Sequence, residues 1–448
     1  MESTPEQKKL LDQVLKYYRD PDPESAARME HGTELYRKGM LRYTLVKADG
    51  KTPYDGKAEV IFRQKAHEYE FGCNGFMLDE FALESENEAY KKYFRDLFNL
   101  MVIPFYWGDL EPEKGKPRYS KDSPKVYRRP APDLCLEFCE KYGIKPKGHL
   151  LMYDHHGAPW LKRDTTENLK RIYERHVREI AERYGDRIQN WDVTNEVTYH
   201  TPSQTIPEDF AHFAFDLAQK YFPVSTRFNY NDGNLWRMQH GYYTADNMLE
   251  NWLISSGRRV DCIGVQCHMI GSGVKPENIL SYWGEYYFNP EQMNDVLDLF
   301  AKVGRPLTIS EVTLTGAEAL GPDREEFQRY TTEILYKLWF SHPNTNGIIW
   351  WNLVDDTALG PENEAKGGLI RRDMTPKPAY EQLVKMIKQD WNTVCTQKYD
   401  PDGKNYVRGF YGDYDVTVKL DDGRVFTTTE KIISGRKNIA SIILDIKE

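Results

Sequence analysis

The sequence predicts an α/β protein, a (β/α)8 TIM barrel with a small accessory β module formed from N- and C-terminal strands. Two observations lead there. Between residues 70 and 392, eight short apolar runs alternate with amphipathic helical segments, the pattern of a parallel sheet closing on itself. Outside that stretch residues 40–69 and 393–448 read in period 2 instead. The 448 residues accommodate a barrel of roughly 250–400 residues and a smaller module.

Residues 1–39 form an N-terminal helical segment, with Leu10, Leu11, Val14 and Leu15 at helical spacing and a break at Asp20-Pro21-Asp22-Pro23. Residues 40–69 supply two strands of the accessory module. Leu41, Tyr43 and Leu45 alternate with Arg42, Thr44 and Val46, a DGKTPYDG turn region follows, and AEVIFRQ is the second strand. The catalytic barrel spans 70–392. Its strands are EFGCNGF (70–76), NLMVIPF (99–105), KPKGHLLM (145–152), IQNWDVTNE (188–196), TRFNYND (226–232), DCIGVQCH (261–268), RPLTISEVTL (305–314) and NGIIWWNLVD (346–355). Amphipathic stretches such as ENLKRIYERHVREIAERYG (167–185) separate them, and EQLVKMIKQDW (381–391) closes the set. Residues 393–448 return to strands: YDVTVKL, a DDG turn, RVFTTTEKI and IASIILDI. Neither end has enough strands for its own sandwich, so the two ends are expected to pair into one module.

A formal net charge of −9 argues against nucleic acid as partner, because its readers need clustered Lys and Arg. No run reaches the 18 or so apolar residues of a membrane span. The N-terminus lacks the basic, apolar, small-residue order of a signal peptide, which fits a cytoplasmic protein or a secreted one whose signal was trimmed. Six cysteines show no C-x-x-C and no framework spacing, and reduced thiols are expected; Cys135 and Cys139 suit burial in a helix. The 30 Tyr and 10 Trp fit both a large core and ring stacking on sugars.

In a barrel of this kind, the site lies at the C-terminal ends of the strands. Polar residues collect there: His149 and Asp154 after the third run, Asn195 and Glu196 after the fourth, Asn231 and Asp232 after the fifth. Gln266 and His268 end the sixth, Glu311 lies on the seventh, and Trp351 and Asp355 are on the eighth. Packing alone does not concentrate polar groups at one end of every strand. Two of them are glutamates in apolar strands, where an unpaired charge is costly. Hydrolysis of a glycosidic bond needs such a pair, one acid to protonate the leaving oxygen and a second carboxylate across the sugar. The retaining course needs them about 5–5.5 Å apart.

NWDVTNE (190–196) resembles the acid/base motif of glycoside hydrolase family 10, the xylanase family, and LTISEVTL (307–314) resembles its nucleophile strand. The resemblance implies that Glu196 is the acid/base, Glu311 the nucleophile, and Asn195 a hydrogen-bond partner of the 2-hydroxyl of the sugar being cleaved. DCIGVQCH is similar to its strand six, which places Gln266 and His268 around the nucleophile. GHLLMYDHHGAPW (148–160) matches strand three at His149, and NYNDGNL (229–235), WWNLVDD (350–356) and TPKPAYEQL (375–383) complete the series in order.

The departures concern recognition. In MVIPFYWGDLEPEKG (101–115), Trp107, Glu111 and Pro112 match, but Val102, Ile103 and Tyr106 stand where the family has Glu, Asn and Lys to grip a second sugar. Tyr153 replaces a Trp, Asp154 a His, His156 a Gln, Gly233 a Tyr and Leu359 a second Trp. Thr313 stands where an Asp follows the nucleophile. The second subsite is therefore expected to be shallow or apolar, with Tyr106 and Trp107 stacking on a sugar face or aglycone. His149, Trp351, Asp154 and His156 complete the expected substrate-binding set.

Asp154, His155 and His156 with His149 also raise a metal site. Adjacent histidines on a strand face opposite ways, which favours a substrate-facing loop, and no metal or cofactor is expected. The reading is a retaining β-glycoside hydrolase that resembles endo-β-1,4-xylanases and acts on short or decorated xylose-containing or related β-glycans. The alternatives are a β-glycosidase for another sugar and a non-catalytic carbohydrate-binding barrel.

Overall fold

The computed structural model describes residues 2–198, 205–233, 236 and 244–446; Asn234 and Leu235 of the strand-five motif lie outside the described residues. In chain order the strands are β1 (Lys38–Val46), β2 (Ala58–His67), β3 (Glu70–Asn74), β4 (Leu100–Pro104), β5 (Lys145–Met152), β6 (Asn190–Asn195), β7 (Arg227–Asp232) and β8 (Cys262–His268). They continue as β9 (Leu307–Thr313), β10 (Thr345–Trp350), β11 (Val394–Tyr399), β12 (Asn405–Phe410), β13 (Gly412–Leu420), β14 (Val425–Ile432) and β15 (Asn438–Ile443). The chain forms two compact units. One comprises Met1–Ala26, Phe71–Trp339 and Asn344–Gln382; the other comprises Ala27–Glu70, Phe340–Pro343 and Leu383–Glu448.

In the first unit, β3 to β10 close into a barrel in sequence order, with β10 against β3. Strands covered on both faces need apolar residues throughout rather than alternation. LMVIP of β4 follows that rule and is buried at every position; NWDVTN of β6 is buried throughout as well, although four of its residues are polar. The intervening helices bury one stripe. Over Thr166–Tyr184 the inward residues are Leu169, Tyr173, Val177, Ile180 and Tyr184, spaced three or four apart, and the Thr165 hydroxyl accepts from the Asn168 amide to cap the first turn. The predicted N-terminal helix is two helices, Pro5–Arg19 and Pro23–Tyr36, interrupted where the Asp-Pro pairs stand. No helix among the described residues is long and apolar enough to cross a membrane.

The second unit is two sheets. One has the order β12-β1-β15, the other β11-β2-β13-β14, so strands from both chain ends share each sheet. The alternation read from the sequence decides which side chains meet. Leu41, Tyr43 and Leu45 of β1 share one core with Val60 and Phe62 of β2 and with Val416 and Val418 of β13. Burying each such side chain contributes about 1.5–3 kcal/mol. All six cysteines are free thiols, and Cys135 and Cys139 are buried in the helix Pro132–Tyr142.

Candidate active site

A cavity of about 560 Å³ opens at the C-terminal end of the barrel, and both glutamates line it. Glu311 is set by β9, one residue beyond Ser310, and is 5% exposed. Three donors from neighbouring strands converge on it. The Asn231 and Gln266 side-chain amides donate to Oε1 at 2.9 and 3.1 Å, and His268 Nε2 lies 3.1 Å from Oε2. Gly264 on β8 makes room for this arrangement, since a Cβ there would stand 2.2 Å from the Asn231 amide oxygen.

Glu196 follows β6 directly. Its backbone leaves the strand in the left-handed region at φ 51, a conformation that costs a non-glycine residue of order 1 kcal/mol or more. The turn is held by its own amide, which donates to the Asn231 carbonyl at 2.9 Å. The Glu196 carboxylate accepts from the Tyr153 hydroxyl on Oε2 and from Gln266 Nε2 on Oε1 at 3.2 Å. One amide nitrogen thus bridges the two carboxylates. Its two bonds laid end to end fall short of the roughly 6.5–9.5 Å that an inverting pair requires.

Beneath the pair, Asn195 accepts from Asn231 and Gln266 at 2.7 and 3.2 Å, which fixes its side chain beside both glutamates. His149 is nearly inaccessible. Its Nδ1 donates to Asp192 at 2.8 Å and its Nε2 pairs with the Tyr106 hydroxyl at 3.1 Å. Burial alone would raise the Asp192 carboxyl, but the Lys147 ammonium at 2.8 Å and the His149 bond outweigh it and hold it below the usual range. Trp351 packs edge-on against Phe76, with ring centroids 5.2 Å apart, and lines the cavity with it. His156 lines it too. Burial, with Arg129 adding to the effect, pushes its imidazole down to about 4, so it faces the cavity neutral.

Three sequence expectations change. Trp107 does not line the cavity: its ring stacks on His176 at 4.0 Å, meets Trp160 edge-on, and its indole donates to Glu111 at 2.7 Å. It braces the wall from behind. Asp154 also stands outside the lining, because β5 stops at Met152 and Asp154–His156 form a tight 3-10 turn that brings only His156 to the cavity. The wall expected to be apolar is not. Val102 and Ile103 are sealed inside the barrel, but Arg128 and Arg129 from an irregular segment and Glu362 from the short helix Gly360–Glu364 line the cavity with Tyr106.

The sequence profile of glycosyl hydrolase family 10 matches residues 64–386. The chain belongs to that family. It is 24% identical over 377 residues to endo-1,4-beta-xylanase 2 of Arabidopsis thaliana, a match over 81% of this chain and 31% of that protein. It is 25% identical over 392 residues to anti-sigma-I factor RsgI6 of Acetivibrio thermocellus, over 86% of this chain and 45% of that one. The chain therefore spans less than half the length of either relative. Among solved structures, xylanase 10B of Thermotoga maritima superposes with a TM-score of 0.56 at 21% identity, over 72% of this chain and 96% of that one. At that identity the likeness speaks for the fold.

Within family 10, the exchange at Thr313 alters the partner of His268. Its Nδ1 lies 2.9 Å from the Thr313 hydroxyl, where the family motif has an acid. Burial disfavours charge on His268, yet the Glu311 carboxylate at 3.1 Å more than compensates and the imidazole is raised above its ordinary value. The stability from this pair is therefore complete below the ordinary histidine value of about 6.5 and is lost as pH rises through the raised folded value. Glu311→Gln removes the carboxylate, so the His268 ring protons should titrate at lower pH in that variant than in the parent, as followed by NMR. An unmoved or higher midpoint would break the link between the two groups.

Asn231, Tyr153 and the loop residues around Arg128 went unassigned in the sequence reading. Asn231 had a signal, its place at the end of a strand among the other polar ends. The arginines had none, since residues 117–131 carry no periodicity and reach the cavity only through tertiary structure.

Proposed function

We propose that the chain is a retaining β-glycoside hydrolase that acts on short or decorated xylose-containing or related β-glycans through Glu311 and Glu196. The observation that carries this reading is the Gln266 amide nitrogen shared by both carboxylates, 3.1 Å from one and 3.2 Å from the other. Glu311, aimed by three donors, attacks the anomeric carbon as the glycosidic bond breaks. Glu196 gives its proton to the departing oxygen, and a glycosyl ester forms on Glu311. Glu196, now ionised, takes a proton from water; the water oxygen attacks the same carbon, and the Glu311 carboxylate leaves. Two inversions retain the configuration.

Tyr153 and Gln266 hold the two Glu196 oxygens, so the acid/base is steered rather than left to solvent. Asn195 is placed beside the pair to meet the 2-hydroxyl, whose bond strengthens as positive charge develops on the ring. Family membership and the relationship to named xylanases support xylose-containing glycans as the first substrates to examine. A β-glycosidase for another sugar is the second reading, favoured by the exchange of three polar strand-two positions for Val102, Ile103 and Tyr106.

The two are separated by turnover of aryl β-xyloside and β-glucoside together with a panel of oligosaccharides, products being read by mass. A binding protein turns over none of them. Remote contacts with a chain supply catalysis as well as affinity, and this chain has given up three of the family's. Linear β-1,4-xylan is therefore expected to show a specificity constant at least about tenfold below the best short or decorated substrate. Plain xylan as the best substrate would refute the strand-two argument.

A further inference from the structure

Residues 117–131 bring Arg128 and Arg129 to the cavity and are fastened to the short helix Trp107–Leu110 and to the connections after β3 and β10. The buried Arg118 folds the segment around itself, donating to the carbonyls of Asp109, Pro124 and Arg129 at 2.9, 2.7 and 3.2 Å. Lys125 Nζ donates to the Asp79 carbonyl after β3 at 2.7 Å. Arg129 Nε donates to Asp109 at 3.0 Å, and its guanidinium lies 4.0 Å from the Tyr106 ring centre. The loop after β10, which stands one strand beyond β3 in the barrel, offers the Thr357 carbonyl, which accepts from the Tyr127 hydroxyl at 2.9 Å and from Arg128 Nη1 at 2.8 Å. The connections after β4 and β10 are thus joined past β3, which closes that side of the cavity.

At the junction, Arg128 and Glu362 both line the cavity. The Arg128 side chain is 5% exposed and its backbone is left-handed at φ 63, so its guanidinium is held away from solvent. Glu362 Oε2 accepts from Asn352 at 2.7 Å and faces Arg128 Nη2 at 3.5 Å. No partner among the described residues takes Glu362 Oε1 in a hydrogen bond. Tyr282 and Tyr287 also line the cavity, flat rings suited to stacking on sugars.

We propose that the Arg128–Glu362 pair reads the free hydroxyl of a terminal sugar, so that the enzyme cuts at a fixed distance from a chain end and not within the chain. This rests on the glycoside hydrolase reading above and adds to it the position of the cut. A hydroxyl both donates and accepts, and a guanidinium N–H beside a carboxylate oxygen satisfies both demands. An internal residue presents a linking oxygen there, which only accepts and carries a further ring into the closed wall. Sites built to bond a hydroxyl reject ligands lacking it strongly, because their own buried groups are left unpaired.

The test follows linear β-1,4-xylo-oligosaccharides of four, five and six units, and the corresponding β-1,4-gluco-oligosaccharides, in ¹⁸O-water at low conversion, with products read by mass. One short product of the same length from every substrate is expected, and the ¹⁸O label shows from which end it comes. Glu362→Ala, on a part-exposed side chain, should broaden the product lengths and lower kcat/KM at least about tenfold. A spread of products that widens with chain length, or a Glu362→Ala variant with the parent's products and rate, would overturn the inference alone. No turnover of any member of either series would overturn the function on which it rests.

Discussion

Glu311→Ala is expected to lower kcat by on the order of 10⁴-fold or more, because no second carboxylate lies where the anomeric carbon would be attacked. The cost to folding is smaller. Asn231, Gln266 and His268 each lose an acceptor, and a buried donor left unpaired costs about 1–3 kcal/mol. A barrel closed by eight parallel strands absorbs that. Removing the carboxylate also opens space on the attacking face. Azide supplied with an activated aryl glycoside should enter it, restore part of the rate and leave a glycosyl azide of inverted configuration. Activity near that of the parent in the alanine variant, with no azide dependence, would remove Glu311 from the mechanism.

Glu196→Ala is expected to divide the two steps. An aryl leaving group that needs little protonation still departs, so formation of the glycosyl ester slows little. Its hydrolysis needs a base to deprotonate water and slows by roughly 10²–10⁴-fold. The ester then accumulates, giving a burst of aryl alcohol followed by a slow steady state. With a poorly activated leaving group, both steps slow and the burst disappears. A variant that shows equal slowing for all leaving groups would place the acid/base elsewhere.

Much of this arrangement was legible in the chain itself. The alternation of short runs with amphipathic helical segments set the strand bounds, and KPKGHLLM is β5 to the residue. Glu196 and Glu311 stood out because a carboxylate within NWDVTNE or LTISEV has no reason of packing to be there. What stayed hidden depended on contacts across the fold. Trp107 reads as a sugar platform, yet its neighbours His176 and Trp160 come from a helix and a loop some fifty or more residues away, and they take its faces. Arg128 and Arg129 read as surface charge in an irregular segment. Only the closing of that segment onto Thr357 and Asp109 turns them toward the cavity. The run DHH reads as a substrate-facing loop after the strand, with Asp154 and His156 both on the substrate. The tight turn makes His155 exposed and brings His156 into the lining.

The central claim is that Glu311 and Glu196 act as nucleophile and acid/base on one face-to-face pair. Peptide mapping of the Glu196→Ala variant, quenched with acid during turnover of an activated aryl glycoside, tests it most directly. A single added sugar is expected on the peptide that contains Glu311, absent from the parent under the same quench. A sugar carried by any other residue, or full consumption of the substrate with no sugar attached at any time, would contradict it.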